Sequence, residues 1–322
     1  MIIYNNVLLP GLFTYCGGKK RVLKELDGFF DTHHTDTFID LCGGSGIVTA
    51  NCIASRRIIN DITTELTTIY KALSCDKYAY PLADILQSLE CNEETFEKAK
   101  AYLKEHSSYR LDDYTDDELP TAAAYSWFVH YFSRVGNDTK SKPTFSENKL
   151  RKWYNLVDGK ICEYMDAFEG VEVWNMDVCN ALKRVENEIK EECTIYIDPP
   201  YLSAVNSNVK TDMGTYDHNS SNSKQEFCIS FSKNNEVQNL FERFMKMHRN
   251  IMYRSNALPA EQYHIFISNY DNELYNSILE TNEFKNWDKA FVKEIDLMCG
   301  NGSNCTAGRA LAKEFLYMNF KS

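Results

Sequence analysis

The residue types best suited to chemistry in this sequence form one short block, Asp198-Pro199-Pro200-Tyr201, directly after the apolar run Thr194-Ile195-Tyr196-Ile197. Proline has no amide hydrogen and a fixed φ, and Pro200 keeps Pro199 extended. The result is a stiff turn that offers the Asp198 carboxylate and the Pro199 carbonyl as neighbouring acceptors. An exocyclic amine carries two N–H donors, which such a pair receives, and Tyr201 supplies a flat face on which a ring stacks. An aromatic amine is a weak nucleophile because its lone pair is spread into the ring. Two acceptors on its hydrogens favour the pyramidal nitrogen that attacks a methyl carbon in line. Such stabilisation of developing charge is worth on the order of a few kcal/mol.

A second block, Asp40-Leu41-Cys42-Gly43-Gly44-Ser45-Gly46, follows the apolar Thr37-Phe38-Ile39. Glycines at the start of a helix let a backbone approach a ligand closely. The spacing is not that of a dinucleotide fingerprint, since Thr49 stands where the third glycine belongs. Asp61 closes the next apolar run, Arg57-Ile58-Ile59-Asn60, the usual place of an acid that binds ribose hydroxyls. Together the two features point to a ligand containing adenosine.

These blocks need a sheet to hold them. Strand, glycine turn, helix, strand over residues 37–61 is the βαβ pattern of a doubly wound α/β fold. A helix is expected from Ile47 to Ser55 and another through Tyr70. From residue 67 to 170 strand signals fade: Glu93–Lys104 and Ala122–Phe132 read as helices, and the block reads as a mainly helical insert. Strands return at Val171–Trp174 and Thr194–Ile197, and are expected again at Ile251–Arg254, His264–Ser268 and Phe315–Met318. Ser203–Lys224, polar and rich in Asn and Ser, reads as a long functional loop.

With 322 residues, 43% of them hydrophobic, the chain can bury a full core. No apolar run is long enough to span a membrane and no leader pattern opens the sequence, which points to the cytoplasm. The 11 cysteines include no C-x-x-C pair, so neither zinc nor a disulfide framework is expected. His33-His34 reads as loop and His130 as a packed helix residue, so no metal site is expected. The net charge of -11 argues against nucleic acid for the body as a whole and leaves that role to a local basic face. The best candidate is 134–154, where Arg134, Lys140, Lys142, Lys149, Arg151 and Lys152 alternate with Phe145, Trp153 and Tyr154. Lys246, His248, Arg249 and Arg254 form a second cluster, expected on a solvated helix face.

In this order the blocks resemble those of the Dam-like family of adenine-N6 DNA methyltransferases. Tyr15-Cys16-Gly17-Gly18-Lys19 resembles the family's aromatic-x-G-G-K block, Asp40–Gly46 its F-x-G-x-G loop with Cys42 in place of Phe, and Asp198–Tyr201 its D-P-P-Y. Asn175-Met176-Asp177, Ser268-Asn269-Tyr270-Asp271 and Arg309 with Lys313-Glu314 match further family elements. The resemblance implies a class I methyltransferase fold, a Rossmann-like mixed sheet with helices on both faces. It implies a catalytic domain at 1–66 and 171–322 and an inserted target-recognition domain at 67–170. S-adenosylmethionine would be the cofactor, held by Tyr15, Gly17, Gly18, Lys19, Asp40, Gly44, Ser45, Gly46, Asp61, Ile62, Asp177 and Asp198. Asp198, Pro199, Pro200 and Tyr201 would act on an adenine flipped from double-stranded DNA, and a cognate restriction endonuclease is a possible partner. Cytosine N4, an RNA adenine or a protein amide would suit the same acceptor pair, with Asp198 favouring adenine. A nucleic-acid-binding partner without catalysis is the reading from another class. The sequence leaves the oligomeric state open.

Overall fold

The computed structural model describes residues 8–15, 18–33, 35–133, 142–200, 235–297 and 310–321. Its sheet has seven strands: β1 Thr37–Asp40, β2 Arg56–Asn60, β3 Glu172–Trp174, β4 Cys193–Ile197, β5 Tyr263–Tyr270, β6 Asp288–Leu297 and β7 Ala310–Met318. The order is β3-β2-β1-β4-β5-β7-β6. The first five strands are parallel, and β7 runs antiparallel between β5 and β6. β4 (Cys-Thr-Ile-Tyr-Ile) is buried at every residue, as a central strand covered on both faces must be.

The helices are α1 Leu23–Asp31, α2 Ile47–Asn51, α3 Thr64–Leu73, α4 Asp76–Ser88, α5 Glu93–Glu105, α6 Leu119–Phe132, α7 Glu147–Asn155, α8 Ile161–Phe168, α9 Val178–Glu188, α10 Asn235–Ala257 and α11 Glu273–Leu279. Strand alternation sorts them into two layers. Ile39, Ile58, Ile195, Ile197, Ile265 and Ile267 point into a core shared with α9, α10 and α11. Phe38, Tyr196 and Phe266 point the other way, onto α1, where Phe30 meets all three rings edge-on at 5.1–5.6 Å. Ile59 joins a third core built largely from α3 to α8.

That helical stack anchors the N-terminal segment beside the glycine turn. The Trp127 indole N–H donates to the Leu12 carbonyl (2.9 Å), and the Tyr164 hydroxyl to the Pro10 carbonyl (2.9 Å). In turn the Leu12 amide donates to the Ser45 carbonyl (3.0 Å). α3 runs through residues 66 and 67, and its Tyr70 hydroxyl donates to the Gly44 carbonyl.

Two expectations need correction. Ile251–Arg254 is not a strand but part of α10. Met247, His248, Ile251, Met252 and Ser255 recur at helical spacing, and Ile251, Met252 and Ser255 are buried; a four-residue apolar run cannot by itself separate the two periods. α2 ends at Asn51, short of the expected Ser55. There the Asn51 amide turns back to the Ile47 carbonyl (2.7 Å) and the Leu9 carbonyl (2.9 Å). Among the described residues no helix is long and apolar enough to cross a membrane.

Candidate active site

β1 pairs with β2 on one side and β4 on the other, so successive crossovers leave β1 in opposite directions. The crevice at the carboxyl ends of β1 and β4 is where open α/β sheets bind ligands. Asp40 pairs with Tyr196 in register, and the Leu41 amide donates to the Tyr196 carbonyl (2.9 Å). The glycine turn and the Asp198 turn therefore leave the sheet side by side.

The glycine turn is closed by its own backbone. Gly46 donates to the Gly43 carbonyl (2.8 Å) and Gly43 to the Asn60 carbonyl (2.9 Å). Gly44 and Gly46 sit at φ 54° and 69°, left-handed backbone that side chains with a Cβ adopt at a cost. Asp61 ties the turn to β2: one carboxylate oxygen accepts from the Gly44 amide (3.0 Å), the other from the Thr63 amide (2.9 Å). A carboxylate has about four lone-pair sites, so Asp61 retains capacity for ligand hydroxyls. Asp40 lies beneath, 1% exposed, with the Thr49 hydroxyl donating to it (3.1 Å). Burial, helped by the Asp198 and Asp61 charges and opposed by Thr49, raises its pKa to about 7. Burial and the same acidic surroundings push the Cys42 thiol well up, so it stays protonated.

The Gly18 amide donates to the Tyr15 carbonyl (3.1 Å), starting a short turn that buries Lys19. The Lys19 ammonium lies 2.6 Å from Asp198 and 3.7 Å from Glu314. Burial alone would lower its pKa, but the two carboxylates more than reverse this and hold it charged. Glu314, on β7, also accepts from the Ser268 hydroxyl of β5 (2.5 Å).

These groups surround one cavity of about 300 Å³, at the lower end for a small-molecule site. Of the expected residues, Tyr15, Gly18, Lys19, Asp40, Gly44, Ser45, Asp61, Ile62, Asp177, Asp198, Pro199 and Pro200 line it. Gly46 does not line it but closes the turn. Tyr201 and Gly17 lie outside the described residues. Asp177 also caps α9, accepting from the Cys179 and Asn180 amides (3.0 and 3.2 Å), as an aspartate at a helix N-cap does. Sequence reasoning missed Asn60, whose side chain bridges the Leu41 and Met176 carbonyls (2.9 and 3.0 Å). It also missed Arg243, Phe244 and Met247 of α10 in the wall. The helical period of α10 was the signal that could have found them.

The basic candidates divide. Lys142, Arg151 and Lys152 are exposed, whereas Lys149 is half-buried and donates to the Ser133 carbonyl (2.9 Å). Arg134 and Lys140 lie outside the described residues. The second basic cluster is not uniformly solvated: Lys246 and Arg249 are exposed, but His248 is fully buried. His130 is packed, stacked on Phe13 at 5.0 Å.

A parallel sheet with an antiparallel strand inserted beside its edge is the arrangement of the class I methyltransferase fold, and the acidic cleft lies at its β1/β4 switch. The chain belongs to the family described as D12 class N6 adenine-specific DNA methyltransferase, whose model matches residues 15–291. It is also similar to the type II methyltransferase M.FokI of Planomicrobium okeanokoites, 24% identical over 221 residues. That match covers 66% of this chain and 32% of the relative, so the chain spans about a third of its length.

Proposed function

We propose that this chain methylates the N6 amine of adenine in duplex DNA, with S-adenosylmethionine as donor. The observation that carries the reading is the adjacency of Asp198, at the end of β4, to the glycine turn at the end of β1, both facing one cavity. The cavity suits the donor's chemistry. S-adenosylmethionine is cationic at sulfur and at its ammonium, and Asp40, Asp61, Asp177 and Asp198 all line the walls.

In this reading Asp61 receives the ribose hydroxyls, Ile62 gives an apolar face at the rim, and Asp177 faces the donor's adenine. Tyr15, Gly18, Lys19, Gly44 and Ser45 enclose the remainder, with Gly17 as a neighbour in sequence. When bound, S-adenosylmethionine supplies the methyl group. The target adenine leaves the duplex stack, as chemistry on a base requires. Asp198 and the Pro199 carbonyl accept its two N–H bonds, and Tyr201 stacks on its ring. As the N6 lone pair forms the bond to the methyl carbon, the carbon–sulfur bond breaks and its electrons return to sulfur as a neutral thioether. The Asp198 carboxylate stabilises the positive charge growing on nitrogen, which one N6 proton then relieves by leaving to solvent. Lys19 keeps Asp198 ionised and aimed.

The helical segment 67–170 is the proposed target-recognition region, with Lys142, Arg151 and Lys152 as phosphate contacts. The acidic body then matters less than this local face. The name of the M.FokI relative supports a restriction–modification setting, with a cognate endonuclease reading the same site, in the cytoplasm.

Incubation of duplex DNA with the protein and tritiated donor, followed by digestion to nucleosides, tests the reading. N6-methyladenine is expected from the wild type and not from Asp198→Ala. Equal label from both, or label on cytosine, overturns it.

A further inference from the structure

His248, on α10, has no solvent exposure, and both its ring nitrogens are engaged. Nε2 lies 2.9 Å from the Pro200 carbonyl and Nδ1 2.8 Å from the Tyr275 hydroxyl. A carbonyl oxygen only accepts, so Nε2 carries the proton. In a neutral ring Nδ1 then accepts, and Tyr275 donates. Burial lowers the ring's pKa to about 4, partly offset by the Pro200 carbonyl, so the ring is neutral at pH 7. Tyr275 is itself fully buried on α11, its ring 4.6 Å from that of Tyr317 on β7.

This chain of contacts acts on a turn with few handles. Neither proline has an amide hydrogen, so Pro199 and Pro200 themselves can be held by hydrogen bonds only through their carbonyls. In the proposed mechanism the Pro199 carbonyl belongs to the substrate, which leaves that of Pro200. Only the ψ rotation of Pro200 separates the two carbonyl-bearing peptide planes, because its φ is locked by the ring. Fixing the Pro200 carbonyl therefore fixes the direction in which the Pro199 carbonyl points.

We propose that His248 is a positioning residue: held in its Nε2–H tautomer by Tyr275, it clamps the Pro200 carbonyl and so aims the Asp198–Pro199 acceptor pair. The proposal rests on the reading of that pair as the amine acceptor.

Two variants separate clamping from packing. A glutamine amide reaches the Nε2 position and keeps a donor on Pro200, whereas an asparagine amide reaches only the Nδ1 position. His248→Gln is expected to hold kcat within about threefold of wild type, and His248→Asn to lower it about tenfold or more, with KM for DNA and donor unchanged. Tyr275→Phe frees the other tautomer and lowers kcat less, and adding it to His248→Asn brings no further loss. Long-range proton–nitrogen NMR of protein labelled with ¹⁵N-histidine reads the contact without activity, and is expected to show His248 protonated at Nε2. An Nδ1–H ring, an unaffected His248→Asn, or equal losses in the Gln and Asn variants overturns the proposal. Absence of N6-methyladenine from the wild type overturns the methylation reading instead, and the NMR result then decides the clamp alone.

Discussion

The Lys19 ammonium lies 2.6 Å from the Asp198 carboxylate, with side-chain exposures of 4% and 18%. The pair bridges two regions of sequence far apart, the short turn before α1 and the end of β4. It also puts a fixed positive charge behind the carboxylate that is proposed to receive the substrate. A carboxylate accepts more than one donor, so Lys19 and an incoming N–H can share Asp198.

Removing Lys19 leaves Asp198 and Glu314 facing each other without their shared cation. Breaking one side of a buried pair typically costs about 3–5 kcal/mol. Lys19→Met is therefore expected to lower the thermal midpoint and to reduce kcat. Calorimetric melting with single-turnover methylation checks both, and a variant with wild-type melting and kcat would deny the pair any role.

Gly46 and Gly28 should respond to alanine in opposite directions. At Gly46 a new Cβ would sit 2.8 Å from the Phe168 ring, on backbone at φ 69°. Left-handed backbone and overpacking together cost roughly 2–5 kcal/mol, and the turn that Gly46 closes would shift. At Gly28, inside α1, a Cβ meets nothing within 4 Å, and alanine gains about 0.4–1 kcal/mol. Urea unfolding of Gly46→Ala and Gly28→Ala would show it, and the same sign for both would contradict the packing described.

What was legible in the sequence was local. Asp198-Pro199-Pro200 and Asp40–Gly46 are contiguous, and each carries its own stiffness or freedom in residue type. The parallel strands around them read clearly because they are short, apolar and followed by turns. β6 was not legible: it is an edge strand in which Lys289, Lys293 and Glu294 interrupt the alternation, as charges on sheet edges do. His248 was illegible for another reason. It lies between Met247 and Arg249 and resembles its basic neighbours in type, while Pro200, which it touches, is 48 residues away. Only the packing of α10 against the sheet brings them together.

Asp40 gives stability a pH dependence of definite sign. Its pKa is about 7 in the folded chain, well above that of an exposed aspartate. Between those values the folded state holds a proton that the unfolded state has lost, so stability is fully present at low pH and falls as pH rises toward 7. The slope is at most about 1.4 kcal/mol per pH unit for one such group. Urea unfolding at several pH values should show this decline in the wild type and a shallower one in Asp40→Asn. Parallel curves for the two proteins would remove Asp40 as the cause.

Lys149 and Arg151 are two residues apart on α7 yet should behave differently toward DNA. Each phosphate contact contributes about 0.9 to the slope of log affinity against log salt. Arg151 and Lys152 are exposed and able to make such contacts. Lys149 is half-buried, its ammonium held on the Ser133 carbonyl and its pKa lowered by burial. Arg151→Ala and Lys152→Ala are thus expected to weaken binding on every duplex and to flatten the salt slope by about one unit each. Lys149→Ala is expected to leave the slope alone and to lower the melting temperature, because it undoes a link between α7 and the end of α6. Fluorescence anisotropy across a salt series separates these outcomes. A slope change in Lys149→Ala as large as that in Arg151→Ala would put the ammonium on DNA and overturn the assignment.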